Sequence, residues 1–120
     1  MSTQHRASTI FKIRGVKSWE KISKAQSFSA DPLWFKTLIN QDKNPPRIAF
    51  AISKKYGNAV KRNKCKRRIN EVVGQLVLNN QIEKGTWILI GIKKIDGEIT
   101  FDQIQKSLNI FVEKLKIKSS

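Results

Sequence analysis

The stretch "RIAFAISKKYGNAVKRNKCKRRINEVV" (Arg47–Val73) decides the fold, because three patterns follow one another within it. Residues 47–53 alternate between large apolar side chains and small or polar ones, which predicts a strand. Gly57 suits a turn with an unusual backbone angle, and Asn58 is a favourable helix N-cap. Apolar side chains then recur at helical spacing, and this predicts a helix over Ala59–Leu78.

The predicted helix has an apolar stripe that ends in a cation. Five side chains fall within about 100° of one another around the helix axis. Cys65 belongs to this stripe and is expected to act as a small buried hydrophobe, not as a nucleophile. Arg62 continues the stripe, so the first turn should extend past the core, because a buried unpaired arginine is very costly. The stripe consists of Cys65, Ile69, Val72, Val73 and Leu76.

Composition indicates a polyanionic partner. The chain has 120 residues, enough for one domain, with 24 Lys and Arg against 9 Asp and Glu and a net charge of +15. Such an excess opposes compact folding and attracts polyanions, so nucleic acid is the expected partner class. An anionic membrane surface and a basic surface that serves only solubility are the alternatives.

The chain lacks the marks of secretion or membrane insertion. It has one cysteine, so no internal disulfide can form, which fits a reducing cytosol. The first 21 residues contain no apolar run typical of a signal peptide, and no segment approaches the ~20 apolar residues of a membrane span. We expect a cytoplasmic protein with no membrane partner.

Positive charge is concentrated where a helix tolerates it least. Eight of the fifteen residues from 54 to 68 are Lys or Arg and none is acidic, with Glu71 the only acid nearby along the sequence. Each exposed cation near a helix N-terminus costs about 0.3–1 kcal/mol. We therefore expect an external phosphate to bind here, assisted by the helix amides; a solvated charge run is the alternative. The predicted RNA-binding residues are Lys54, Lys55, Asn58, Lys61, Arg62, Asn63, Lys64, Lys66, Arg67 and Arg68.

The remaining patterns predict an α+β domain. Residues 1–15 are expected to form a mobile basic arm, residues 16–116 the domain and residues 117–120 a frayed tail. The element order is helix, strand, strand, helix, strand, helix, giving one small sheet with helices packed on one side. The first two strands are expected to form an antiparallel hairpin. Besides the segments above, the predicted elements are helix 16–25, strand Leu33–Ile39, a central strand Thr86–Ile92 and helix Phe101–Leu115.

One strand face could bind single-stranded RNA. Trp34 and Lys36 share a face of their strand, and the small Ala49 and Ala51 leave room beside them. An aromatic ring beside a cation suits base stacking, although Trp34 in the core is an open alternative. Trp19 has the same two possibilities, whereas Trp87 is expected in the core. Lys93 and Lys94 could reach phosphates or could simply be solvated.

The quoted stretch resembles the bacterial ribonuclease P protein subunit. Ser53-Lys54-Lys55, Gly57-Asn58-Ala59 and Arg62-Asn63 match that family's signature, and the resemblance extends over about residues 19–115. Lys64 replaces the motif's second arginine, so a forked guanidinium becomes a point charge. Asn70 and Gln26 also depart from the family pattern.

The resemblance implies a two-layer α/β sandwich with a mixed sheet and a left-handed βαβ crossover, against the general right-handed rule. It implies a subunit that binds a catalytic RNA and the 5′ leader of precursor tRNA, while that RNA removes the leader with Mg²⁺. This makes the chain an accessory subunit of an endoribonuclease, with no cofactor or metal bound by the protein alone. The implied leader cleft comprises Trp19, Trp34, Lys36, Ala51, Lys93 and Lys94.

The sequence itself offers no hydrolytic site. Its only histidine is His5, its acids are scattered, and no Cys/His cluster could hold zinc. No catalytic residue is therefore expected, and an autonomous nuclease is disfavoured. The rivals are an RNA-packaging or ribosomal protein and a DNA-binding regulator. Because the cations surround the helix, they suit phosphate contacts better than base reading, so no DNA partner is expected.

Overall fold

The computed structural model describes residues 11–93 and 97–119. Three predicted elements have the bounds expected from the sequence: the strand Leu33–Ile39, the helix Ala59–Leu78 and the strand Thr86–Ile92. A short 3₁₀ turn, Lys54–Tyr56, connects the strand Arg47–Ala51 to that helix. The elements are β1 (Phe11–Lys12), α1 (Val16–Ser23), β2 (Ser27–Ala30), β3 (Leu33–Ile39), β4 (Arg47–Ala51), α2 (Ala59–Leu78), β5 (Thr86–Ile92) and α3 (Phe101–Ser119).

The five strands form one mixed sheet in the order β1-β4-β5-β3-β2. β5 is antiparallel to β3 and parallel to β4, so the predicted central position of β5 is confirmed. The predicted hairpin between β3 and β4 is wrong, because β5 lies between them. β5 is apolar on both faces and therefore gains most from a place with neighbours on each edge and layers above and below.

Two short strands extend the sheet at its edges. β1 pairs in parallel with β4, and β2 pairs with β3 in antiparallel register. Neither was expected from the sequence, since two and four residues are too short for a periodic signal. Phe11 and Lys12 belong to the stretch predicted as a mobile arm; these two residues are instead paired in the sheet. Residues 1–10 lie outside the described residues.

Helices cover both faces of the sheet. α2 and α3 bury the main core against one face, where Phe35, Ile88 and Ile90 are fully buried. α1 packs on the opposite face, with Ile22 buried against a smaller cluster that includes Leu89. The α+β class and the mixed sheet are confirmed, whereas the expectation of helices on one side only is wrong. α2 joins the parallel strands β4 and β5; the hand of this crossover stays a prediction.

Local side chains fix the helix ends. The Asn58 side chain accepts a hydrogen bond from the Lys61 amide at 2.9 Å, as an N-cap does. At the other end of α2, Asn80 adopts a left-handed φ of 59° and donates its amide to the Val77 carbonyl. Thr100 and Gln103 form a reciprocal capping box that starts α3. Among the described residues, no helix is long and apolar enough to cross a membrane.

Candidate nucleic-acid interface

Eight cations form one basic surface where β4 ends and α2 begins. Ser53 caps the 3₁₀ turn by accepting a hydrogen bond from the Lys55 amide at 3.0 Å. Gly57 follows with φ 154°, and a Cβ there would crowd the Lys61 side chain. Asn58 uses its side-chain oxygen to cap α2, while Asn63 is exposed. The basic surface comprises Lys54, Lys55, Lys61, Arg62, Lys64, Lys66, Arg67 and Arg68.

Aromatic rings and carbonyls support several of these cations. The Lys61 ammonium lies 4.6 Å from the centroid of the Tyr56 ring. The Arg62 guanidinium donates to the Gly57 carbonyl at 3.2 Å. It is partly exposed, in line with the expectation that the first turn of α2 extends past the core. Lys54, Lys55 and Arg67 are exposed, so a ligand could reach them without rearrangement of the core.

Glu98, in the loop after β5, is an acidic partner of the basic surface. Its carboxylate lies 3.0 Å from the Lys64 ammonium and 3.2 Å from the Arg68 guanidinium. The hydrogen bond and charge of Lys64, followed by the charge of Arg68, lower the pKa of Glu98. The sequence indicated Glu71 as the only acid near this cluster, so the pairing of Lys64 and Arg68 with Glu98 was not expected. Glu98 lies far from Arg68 along the sequence, so local charge counting could not find this contact.

Arg68 also fastens the loop before α3. Its guanidinium donates to the Ile99 carbonyl at 2.8 Å and lies 5.6 Å from the Phe101 ring. The Tyr56 hydroxyl accepts a hydrogen bond from the Ile99 amide at 3.1 Å. Cys65, one turn before Ile69 on α2, is only 2 % exposed, and burial raises the pKa of its thiol. The expectation that Cys65 is a core residue is confirmed.

A second surface lies on the α1 side of the sheet, where the predicted leader residues Trp34, Lys36 and Ala51 share one face. Trp34 and Ala51 are both register partners of Gly91 and are partly exposed. A Cβ at Gly91 would overlap the Trp34 indole, so the ring lies directly over that glycine. We call this region, Trp34, Ala51 and Gly91, the indole platform. The Lys36 side chain is not part of the platform, because its ammonium donates a hydrogen bond to the Ser23 carbonyl at the end of α1.

The structure describes two of the three other predicted cleft residues, Trp19 and Lys93. Trp19, on α1, is 39 % exposed and borders a shallow open hollow. Lys93 is exposed and pairs with Asp31 at 3.4 Å. Lys94 lies outside the described residues. Trp87 was expected in the core; it packs against the smaller core cluster on the α1 side but stays partly exposed, with the Lys21 ammonium 5.4 Å from its ring.

Metal-ligand side chains are not clustered in the described part of the chain. Within residues 11–93 and 97–119, no three His, Cys, Asp or Glu side chains come together as metal ligands. What the arrangement can do is bind phosphates at the basic surface and stack a base on the platform.

Fold and charge together define a small, strongly basic α+β domain. The family model described as Ribonuclease P matches residues 12–116 of it. The chain belongs to the ribonuclease P protein family.

Curated relatives and solved structures agree with this family. The ribonuclease P protein component of Finegoldia magna is 37 % identical over 75 residues, covering 62 % of this chain and 64 % of that protein. The Bacillus mycoides component is 37 % identical over 71 residues, with 58 % and 60 % covered. These matches thus span roughly three fifths of the relatives' length.

Two solved structures share the fold. The Staphylococcus aureus ribonuclease P protein is 28 % identical, with a TM-score of 0.69 and coverage of 88 % of this chain and 94 % of that one. The Thermotoga maritima protein is 20 % identical, also with a TM-score of 0.69, and covers 86 % and 96 % of the two chains. At that identity, the second likeness supports the fold alone.

Proposed function

We propose that this chain is the protein subunit of ribonuclease P and binds the catalytic RNA of that enzyme through its basic surface. The observation that carries the proposal is the cluster of eight cations from residue 54 to 68, positioned around the N-terminus of α2 in a member of this family. Phosphates would offset both the mutual repulsion of these cations and their unfavourable interaction with the helix dipole.

The second part of the proposal is that the indole platform binds the single-stranded 5′ leader of precursor tRNA. Trp34 presents a partly exposed ring held flat over a glycine, which suits stacking on a base. Stacking of this kind contributes about 1–3 kcal/mol per base and tolerates any sequence, as leaders of different sequence require. Trp19 lies on α1, which packs on this side of the sheet, and Lys93 directly follows β5; both side chains are exposed.

In this proposal the chain assists cleavage but carries no catalytic group. The RNA would supply the active site and hold the Mg²⁺ that activates the attacking water. The protein's side chains would position the leader and neutralise backbone phosphates. The proposal places the protein in the cytoplasm, with the catalytic RNA and precursor tRNA as its partners.

Reconstitution tests the proposal directly. The protein is added to a cognate catalytic RNA at low Mg²⁺, and 5′ processing of a precursor tRNA is measured. We expect stimulation by the protein; its absence would favour a packaging role. Arg67→Ala and Arg62→Ala should each weaken RNA binding and lower its salt dependence, by about 0.7–0.9 in the log–log slope for each phosphate that the variant no longer neutralises.

Lys43→Ala is a matched control for these two variants. Lys43 is exposed and also carries one positive charge, but it lies in the loop before β4, at the opposite end of that strand from the basic surface. The Lys43→Ala variant should leave the slope of log affinity against log salt concentration unchanged. Arg67 is the cleaner probe, because the Arg62 guanidinium also bonds the Gly57 carbonyl. Unchanged affinity across the salt series for both arginine variants would contradict phosphate binding here.

A further inference from the structure

Three cations of the basic surface converge on one carboxylate of the protein itself. Lys61, Lys64 and Arg68 lie within about 60° of one another around α2, so they present one face of the helix. Glu98 lies against this face, in contact with Lys64 and Arg68. The charge of Lys61 also acts on Glu98 and contributes to lowering its pKa. The anion expected at this face is therefore already supplied, in part, by the protein.

We propose that Glu98 is a built-in competitor for RNA, occupying at Lys64 the place that a backbone phosphate takes when RNA binds. The inference rests on the proposed function, since it needs RNA at the basic surface. A carboxylate and a phosphate offer the same kind of oxygen acceptor to an ammonium group. The Lys64 ammonium has three donors, but a phosphate bound there would lie beside the Glu98 carboxylate, and the two negative charges would repel each other. RNA binding at this position therefore favours loss of the contact between Lys64 and Glu98.

Lys64 and Arg68 differ in how freely they can leave Glu98. The Lys64 side chain is 48 % exposed, and its ammonium has a long flexible stem. The Arg68 side chain is 21 % exposed and is also held by the Ile99 carbonyl and the Phe101 ring. Removing the Glu98 charge therefore releases Lys64 but leaves Arg68 in place. The variant should accordingly bind one additional phosphate, not two.

The loop that carries Glu98 has its own anchors. The Ile99 amide bonds the Tyr56 hydroxyl, and the Ile99 carbonyl bonds Arg68. Ile99 itself is buried in the main core. Glu98 can consequently be replaced without detaching the loop, and its neutral isostere Glu98→Gln should fold normally.

The test compares binding of the wild-type protein and of Glu98→Gln to the cognate catalytic RNA over a salt series. The variant should bind about two- to five-fold tighter at low salt, the range expected for freeing an exposed ion-pair partner. Its salt dependence should steepen by about 0.7–0.9 in the log–log slope, the signature of one further phosphate. Glu83→Gln is the matched control, since it removes an exposed carboxylate from the loop before β5.

Two further variants show whether the gain in RNA affinity comes from losing the contact between Glu98 and Lys64 or only from the change in net charge. Glu98→Asp keeps the charge but shortens the reach to Lys64, so it should give a smaller gain of the same sign. In a Lys64→Ala background, Glu98→Gln should give no gain. An equal gain from Glu83→Gln, or a full gain without Lys64, would overturn the inference. Wild-type protein that fails to bind the RNA would instead overturn the proposed function.

Discussion

Replacing Gly91 with alanine should displace the Trp34 indole from its platform. A Cβ at Gly91 would overlap that ring, and the two residues are direct partners across β3 and β5. Neither strand can retreat, because β5 is also paired with β4 on its other side. The side chain of Trp34 must therefore change rotamer or the sheet must distort locally.

The magnitude follows from two opposing terms. Overpacking of this kind typically costs about 1–3 kcal/mol. Alanine is favoured over glycine in a strand by about 0.5–1 kcal/mol, which offsets part of that cost. Gly91→Ala should thus lower the free energy of unfolding by up to about 2.5 kcal/mol. In a Trp34→Ala background the indole ring is absent, so Gly91→Ala should raise the free energy of unfolding by about 0.5–1 kcal/mol.

Urea unfolding of the four proteins in this double-mutant cycle measures the effect, with circular dichroism as the probe. The reversal of sign is the decisive result, because it isolates the contact between the ring and the glycine. An equal loss of stability in both backgrounds would show that Gly91 is needed for some other reason. A gain in both would show that the ring does not lie over Gly91 in solution.

Two further predictions concern the leader and the ion pair. Trp34→Ala should reduce affinity for precursor tRNA more than for mature tRNA in the reconstituted enzyme; equal loss on both would assign Trp34 a structural role only. The lowered pKa of Glu98 means that its pairing with Lys64 and Arg68 stabilises the fold above its ordinary pKa of 4.5 and is lost as the pH falls through the lowered value. The difference in urea midpoint between wild type and Glu98→Gln should accordingly shrink on acidification, and a constant difference would contradict this.

Local patterns in the sequence predicted the long elements well and their arrangement poorly. Strand alternation and helical spacing are local properties, so β3, α2 and β5 were bounded correctly. Strand pairing is not local: a short loop between β3 and β4 favoured a hairpin, yet the apolar β5 takes the place between them. β1 and β2 are too short to carry a periodic signal.

The same contrast between local and long-range features holds for the candidate site. The basic surface could be named from the sequence because its cations are close together in α2 and the turn before it. Glu98 could not, since only the fold brings the loop after β5 against α2. The partial exposure of Trp87 could not be predicted, because a near-continuous apolar strand does not show how completely each of its faces is covered. A glycine inside such a strand is a recognisable sign of close approach, so Gly91 was a signal for the contact with Trp34 that went unused.

The short connection between β4 and α2 sets the separation between the indole platform and the basic surface. Only residues 52–58 separate Ala51, the last residue of β4 and part of the indole platform, from Ala59, the first residue of α2, and the basic surface begins within this segment at Lys54. The 3₁₀ turn and the Asn58 cap hold that short segment in one conformation. If both surfaces bind RNA as proposed, the distance between the docked catalytic RNA and the bound leader is set by the protein backbone. Lengthening this segment by a residue would then change where along the leader the platform makes contact, even with every contacting side chain intact.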